Sequence, residues 1–279
     1  IKCNSQGGFV KKIVSNIMRD FMRKALIALA VSSTVVSGSV IAADWVTGGT
    51  GGSVEIGGTL TISPKLTPWE IKVGAAVHNL DATIKSAANT VSVPVNTTIP
   101  VLSIRTNVRE YVSLWGVSPQ ISYGNFNPAS DMSEAGLGML TVDVTNEEGN
   151  QIGKVKLPLT VAALGGGSTM HSAGLMAPKA GDVFWGGVAT TQNMSLAYGD
   201  ALAKLTAIDP EAIINFMDGP SVEQDSVGYI TPGNDGTTYS AAYVSGIESG
   251  KNLVITFNDA VKSGSITWKA SLPITVSYV

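Results

Sequence analysis

Apolar side chains alternate with small polar ones along many short segments of this chain. Such a period of two places the apolar side chains on one face of a β-strand. The alternating segments are residues 54–62, 69–73, 91–95, 140–144, 155–161, 253–257, 266–268 and 274–278. Turn residues separate them, and no long amphipathic helices lie between them. The pattern therefore predicts an all-β sandwich or barrel.

One region departs from this pattern, at about residues 165–238. It contains a glycine-rich stretch and two short segments with helical character. The first segment is residues 197–207. In the second, Asp209 is placed to cap a helix, Pro210 takes the first helical position, and Gly219 ends it. We interpret this region as a small loop and helix insertion on a β scaffold.

The first 42 residues have a different composition. The basic residues Arg19, Arg23 and Lys24 precede a short apolar run at 25–36, and small residues follow as far as Ala42. This order is typical of a secretory signal peptide, with cleavage after Ala42 or one residue later and upstream sequence before it. A membrane anchor is the alternative, although the apolar run is shorter than the roughly 20 residues that a spanning helix needs.

Removing that leader changes the charge and the cysteine count. Six of the 18 basic residues and one of the 21 acidic residues lie in residues 1–42, so the remainder has 12 basic and 20 acidic residues and a net charge of −8. Nucleic acids and anionic lipids bind basic surfaces, so neither is expected as a partner. The single cysteine, Cys3, also lies in the leader, so the exported chain is expected to fold without a disulfide.

The chain offers little for catalysis. His78 and His171 are its only histidines, and no cluster of Cys, His or Asp has the spacing of metal ligands. We interpret His171, in a glycine- and serine-rich loop, as a surface residue. Residues 48–58 are rich in glycine but lack the lysine and the following helix of a phosphate-binding loop. We therefore expect neither an enzyme nor a cofactor.

The N-terminal part of the exported chain has the pattern of a strand on a flexible arm. Residues 43–52 are polar and glycine-rich, and the alternating run follows at once. The residues that share one face of this run are Val54, Ile56, Gly58, Leu60 and Ile62. An ordinary first strand of the same domain is the alternative interpretation.

The last strand, at the C-terminal end, is expected to lack a neighbour on one side. Ile274, Val276 and Tyr278 alternate with polar residues up to the end of the given sequence. A strand with nothing after it leaves an open sheet edge. One end that supplies a strand and another that lacks one indicate strand exchange between copies, as in β-strand addition.

Several motifs also resemble a known family. They are residues 45–58, 69–74, 184–187, 240–261 and 268–278. In this order they are similar to the subunits of kappa-class chaperone–usher fimbriae, the class of the K88 antigen of enterotoxigenic Escherichia coli.

The resemblance implies an incomplete immunoglobulin-like β-sandwich, which a neighbouring subunit completes by donor-strand exchange. Residues 43–62 would be the donor extension and residues 63–279 the pilin domain. It further implies a periplasmic chaperone that docks at the edge formed by Ile274, Val276 and Tyr278, an outer-membrane usher, and export to the cell surface. The expected function is a structural subunit of a homopolymeric fimbria, most simply the major one.

The same resemblance implies adhesion to host glycans through the insertion. The candidate residues are Lys179, Asp182, Trp185 and Tyr198, because an aromatic face can stack on a sugar while charged groups bind its hydroxyls. Alternatives are a minor subunit of the same system and, in a different class, a secreted glycan-binding module or hydrolase that acts as a monomer.

Overall fold

The computed structural model describes residues 67–262 and 264–279. Strands dominate this part of the chain, so the all-β prediction is confirmed. The strands are β1 (Trp69–Val73), β2 (Thr90–Pro94), β3 (Ile99–Thr106), β4 (Tyr111–Val112), β5 (Pro119–Tyr123), β6 (Met132–Glu134), β7 (Leu137–Thr145), β8 (Gln151–Gly166), β9 (Ser172–Leu175), β10 (Val222–Gly228), β11 (Thr238–Ile247), β12 (Asn252–Phe257), β13 (Lys269–Ala270) and β14 (Ile274–Tyr278). The helices are α1 (Tyr198–Ile208) and two 3-10 turns, Gln192–Met194 and Pro210–Ile213.

A large sheet is organised around the long strand β8. Its main path runs β1-β3-β11-β8-β12-β2, and every pairing along this path is antiparallel. The first part of β8 pairs with β12 and its last part with β11, while β7 follows its other edge. A separate two-stranded sheet joins β14 to β5. The single parallel pairing between named strands in the described region joins β10 to β9.

The two sheets face each other across a buried core. The hydroxyls of Tyr123 on β5 and Tyr243 on β11 lie 2.7 Å apart, and Ser245 Oγ lies 2.7 Å from the Tyr123 hydroxyl. All three side chains are buried, so these hydrogen bonds satisfy groups that would otherwise be costly to enclose. The arrangement is a sandwich whose small sheet consists of β5 and β14.

The helix packs on the outer face of the large sheet. Alternate residues of β11 point to opposite faces, so Ala242 and Val244 lie on the face opposite Tyr243. They form a second buried cluster with Leu164 of β8 and with Tyr198 and Leu205 of α1. The predicted first helix, residues 197–207, is confirmed within one residue at each end.

The second predicted helix is shorter than expected. Asp209 does cap it, accepting a hydrogen bond from Glu211 N, and Pro210 is its first residue, but the turn ends at Ile213 instead of Gly219. Contacts with other strands explain the early end of this turn. Arg105 Nη1 on β3 donates to Glu211 O at 2.7 Å, and Ser240 Oγ on β11 accepts from Met217 N. These contacts replace the bonds that would continue the helix.

Other differences from the sequence interpretation concern strands, since β3, β5 and β11 lie outside the alternating segments. The region at 165–238 contains β9 and β10 in addition to its helical turns. The predicted strand at 266–268 is absent, and β13 begins at Lys269, opposite Thr145. Beyond Thr145 the partner strand enters the hairpin turn in which Asn146 N donates to Asn150 O, so no ladder is left to pair with Trp268.

Candidate functional site

Strand β14 lies at the edge of the small sheet. It pairs with β5 from Ile274 opposite Tyr123 to Tyr278 opposite Pro119, and Val279 continues the ladder through two backbone hydrogen bonds to Ser118. Within residues 67–262 and 264–279, no strand pairs with its other side. No described strand uses the backbone donors and acceptors on that side, and an added strand could pair with them.

The core-directed side chains of β14 are incompletely covered. Ile274 and Val276 share a face with Tyr123 and Ile121 of β5, because directly paired residues of an antiparallel ladder point the same way. Ile121 and Tyr123 are buried, whereas the β14 side chains on this face, including Tyr278, are only half-buried. The sandwich is thus less well filled beneath β14 than beneath β5.

Strand β1, at an edge of the large sheet, also has core-facing side chains that are incompletely covered. Ile71 pairs with Ile104, and Val73 pairs with Leu102. Both β3 residues are fully buried, but Ile71 is 41 % and Val73 60 % exposed. Like β14, β1 has a single strand partner in the part of the chain described.

Trp69 alone of the core-facing β1 residues is buried. Its ring packs edge-on against Tyr111 and Phe184, with ring centres 5.2 and 5.5 Å apart. Its indole nitrogen donates to Val117 O at 2.7 Å. The apolar face of β1 is therefore covered at its first residue and uncovered toward its last.

Each sheet thus ends in an edge strand with uncovered apolar side chains on its core-facing side. Such an arrangement can accept a strand by backbone hydrogen bonding and by burial of alternate side chains. It involves no covalent chemistry. Among the described residues, no group of three His, Cys, Asp or Glu side chains is placed to hold a metal ion.

The residues predicted to donate a strand lie outside the described part of the chain. They are Val54, Ile56, Gly58, Leu60 and Ile62. Their role stays a prediction, as does chaperone docking at Ile274, Val276 and Tyr278.

Asp182, predicted as a sugar-binding group, is a structural residue of a turn. Its side chain is fully buried and accepts from Lys179 N at 3.0 Å and from Thr231 Oγ1 at 2.5 Å. Its carbonyl accepts from Gln120 Nε2 at 3.0 Å. Lys179 is exposed on this turn, and Trp185 is 37 % exposed.

Tyr198, the fourth candidate, is also buried. It begins helix α1 and donates its hydroxyl to Asp218 Oδ1 at 2.8 Å. Burial raises the pKa of the Tyr198 hydroxyl, and the hydrogen bond to Asp218 raises the pKa further. Asp182 and Tyr198 therefore give the predicted glycan site no support, and that site stays a prediction. His171 is exposed, as expected.

A charged cluster that was not predicted joins β1 to the insertion. Lys72 Nζ lies 2.7 Å from Asp209 Oδ2 and 2.9 Å from Glu211 Oε2, and Ser103 Oγ donates to Asp209 Oδ2 at 2.6 Å. Burial alone would raise the pKa of Asp209, but the hydrogen bonds from Lys72 and Ser103 hold it below its ordinary value. The hydrogen bonds that Lys72 donates to Asp209 and, second, to Glu211 raise the pKa of Lys72.

The sequence signals only part of this cluster. The cap position and the following proline identify Asp209 as a helix cap, but its ion-pair partner lies 137 residues earlier in the chain. No local pattern relates the two. The cluster lines an open groove formed by β1, β3 and the second 3-10 turn.

No helix in residues 67–262 and 264–279 is long and apolar enough to cross a membrane.

The sequence of this chain is similar to those of known fimbrial subunits. Residues 22–279 match the family model described as "Fimbrial, major and minor subunit". The chain is 29 % identical to K88 fimbrial protein AD and 28 % identical to K88 fimbrial protein AC, both of Escherichia coli, and 28 % identical to the F41 fimbrial protein of the same species. Each alignment covers 92 % of this chain and 100 % of the relative.

Members of this family are structural proteins that polymerise with other subunits and are not normally enzymes. The family match includes nearly all of the chain, and the recognition made from the sequence motifs is confirmed. The chain therefore belongs to the family of major and minor fimbrial subunits and is a structural component of a surface-exposed, extracellular fimbria.

Proposed function

We propose that the chain is the major, shaft-forming subunit of its fimbria and that residues 54–62 of one copy complete the sandwich of the next. The observation that supports this proposal is the pair of uncovered edges. Ile71 and Val73 on β1, and Ile274, Val276 and Tyr278 on β14, are core-facing but lack the cover that their strand partners have.

The proposed donor segment has the side chains that such a gap requires. Val54, Ile56, Leu60 and Ile62 share one face, and each fully buried aliphatic side chain contributes about 1.5–3 kcal/mol. Gly58 lies on the same face and leaves room for a large side chain of the acceptor. Ordering the segment costs about 1–2 kcal/mol per residue, so every apolar anchor matters.

Assembly on this scheme needs a temporary cover for the open edges. We propose that a periplasmic chaperone binds beside β14 until the donor strand replaces it at an outer-membrane usher. Ile274, Val276 and Tyr278 would be the side chains that it covers. An uncovered apolar edge promotes aggregation, which explains why a chaperone would be needed.

Adhesion to a host glycan is a second proposed role. Its support is Trp185, which is partly exposed on a turn fixed by hydrogen bonds from Ile121 N to Trp185 O and from Trp185 N to Asp182 O. Aromatic faces on rigid loops are typical of binding sites on β scaffolds. Lys179 is the polar candidate that remains exposed, since Asp182 and Tyr198 are enclosed.

The donor-strand proposal is tested by changing one face of residues 54–62 at a time. Ile56→Asp places a charge in the apolar gap, so we expect no filaments, while the subunit still accumulates with its chaperone because the acceptor side is unchanged. Glu55→Gln changes the opposite face and is the matched control, with normal filaments expected.

Electron microscopy of cells that express the intact gene cluster measures the outcome. Sheared native filaments should contain this chain as the dominant protein. Normal filaments from the Ile56→Asp variant would mean that residues 54–62 are an ordinary strand. A minor proportion of this chain in native filaments would favour the minor-subunit alternative.

A further inference from the structure

Three exposed apolar side chains lie on the segment that follows β3. Val112 and Leu114 are about half exposed, and Trp115 is 67 % exposed. Val112 and Leu114 alternate with Tyr111 and Ser113, which are buried, so one side of this segment enters the core while the other faces solvent. Trp115 directly follows Leu114 and is also exposed. We call the surface formed by Val112, Leu114 and Trp115 the tryptophan patch.

The backbone that carries the patch is well fixed. Ser113 N donates to Thr237 O at 2.8 Å, and Ser113 Oγ accepts from Gly233 N at 2.7 Å. Trp115 N donates to Asn234 Oδ1 at 3.2 Å, and Gly116, with φ of +79°, turns the chain directly afterward. A tryptophan held on such a turn loses little backbone freedom on binding a partner, which favours an interaction surface.

The patch lies where the described domain begins. Asn107 N donates to Pro68 O at 2.8 Å, and the Trp69 indole donates to Val117 O. Residues before and after the patch therefore contact Pro68 and Trp69, where β1 begins. The end of β14 is near as well, because Val279 pairs with Ser118.

Chain connectivity then limits where the next copy can lie. Four residues, 63–66, separate Ile62 of the proposed donor segment from Thr67. The five residue steps from Ile62 to Thr67 span at most about 18 Å. A copy that accepts residues 54–62 must therefore lie close to the start of β1, and so close to the tryptophan patch.

From this juxtaposition we propose that the tryptophan patch contacts the successive copy of this chain, the one that accepts its N-terminal segment. The inference rests on the proposed donor-strand function and adds a second contact between the same two copies. Tryptophan at the centre of a protein interface often provides a large share of the binding energy. The patch would add a second contact between the same two copies and so fix the angle between them, which a single four-residue link does not.

A site-specific photo-crosslinking amino acid at position 115, incorporated into filaments made from the intact gene cluster, tests this contact. We expect a cross-linked dimer of this chain. The control position is Ala207, which is exposed on α1 at the outer face of the large sheet and should give no dimer. Cross-links from position 115 only to other proteins, or none at all, would overturn the proposal.

A substitution pair gives an independent measurement. In mild denaturant, Trp115→Ser filaments should lose copies about tenfold faster than native filaments, as expected for an interface tryptophan. Trp115→Phe keeps an aromatic side chain and should behave nearly as the native protein. Equal release rates for all three would contradict the proposal, and if Trp115→Ser lowers the yield of folded subunit, the cross-link decides alone.

The two proposals fail in different ways. Filaments that form without a cross-link from position 115 overturn only the contact at the tryptophan patch. Normal filaments from Ile56→Asp overturn the donor-strand proposal on which it rests.

Discussion

At the residue scale, the same alternating pattern leads to different environments within a single strand. Trp69 is buried, whereas Ile71 and Val73 are largely exposed although they point to the same side of β1. The difference comes from the residues opposite, because Tyr111 and Phe184 cover Trp69. No such rings pack on Ile71 and Val73 in the part of the chain that the structure describes.

The sequence Phe184-Trp185-Gly186-Gly187 has a structural explanation of the same local kind. Phe184 is fully buried with a positive φ of 66°, and its ring packs 5.3 Å from that of Tyr243. Gly186 has φ of +83°, and a Cβ there would lie 2.1 Å from Ile121 O. The turn brings two backbones so close together that only glycine fits.

We expect Gly186→Ala to destabilise the exported protein strongly, because the new methyl group meets a backbone atom that cannot move away. Gly250→Ala is the control, since Gly250 has the same φ of +83° but nothing lies within 4 Å of the place that its new methyl group would take. The control should lose only about 1–2 kcal/mol of the free energy of unfolding, from backbone strain. Urea denaturation measures both, and equal losses would show that the close approach to Ile121 has no consequence.

At the scale of elements, burial on one or both faces decides what each strand does. Strand β11 is buried on both faces, because α1 covers the side that the sandwich core does not. Strand β14 has an exposed outer face and a half-buried inner face, and no strand of residues 67–262 pairs with its free edge. An element with this combination is suited to pairing with another chain.

The proposed chaperone contact can be tested within β14. Tyr278→Ser removes the last large side chain of the half-buried face, so we expect less chaperone–subunit complex and more degraded subunit. Ser277→Ala changes the exposed face of the same strand and should leave the yield unaltered. Co-purification from the periplasm measures the yield, and an unchanged amount of complex for Tyr278→Ser would count against docking at this edge.

At the scale of the whole molecule, the ion pair between Lys72 and Asp209 connects the sheet edge to the insertion. Lys72 is on β1, the edge strand with uncovered side chains, and Asp209 begins the turn after α1. Glu211, from the same turn, and Ser103, from β3, complete the contacts of these two groups. The ion pair therefore ties one face of β1 to the turn after α1. On the other face of β1, Ile71 and Val73 are exposed.

We expect Lys72→Met to lower the free energy of unfolding near neutral pH by about 1–2 kcal/mol. The loss is modest because Lys72 is half exposed and water screens its charge, although Asp209 is left buried with fewer partners. Lys85→Met, at an exposed position, should change stability very little.

The pH dependence follows from the two pKa shifts. The pKa of Asp209 is lowered in the fold, so its contribution is present above the unfolded pKa of 3.8 and is lost as pH falls through the lower folded pKa. The pKa of Lys72 is raised, so its contribution is present below 10.5 and is lost as pH rises through the higher folded pKa. Denaturation of native and Lys72→Met protein across this range should show a stability difference that shrinks at both extremes, and a constant difference would contradict the ion-pair explanation.

Much of the fold could be predicted because strand patterns are local. Leu253, Ile255 and Phe257 alternate in the sequence and are buried in β12, and the helix at α1 was located within a residue. The short helix after Pro210 was predicted too long, because its end depends on Arg105, a residue of a distant strand. The tryptophan patch was missed as well, since a tryptophan in a turn gives no sign of whether it is covered.

The sequence by itself determined that this protein is built from strands with one apolar face, because side-chain direction along a strand depends only on residue spacing. Its motifs also identified the fimbrial family, which the comparisons confirm. Tertiary structure alone decided which of those faces are covered and which polar groups are enclosed. The buried Asp182 and Tyr198 form hydrogen bonds with Thr231 and Asp218, residues 49 and 20 positions away. Burial is a property of contacts between distant segments, and only the folded chain brings those segments together.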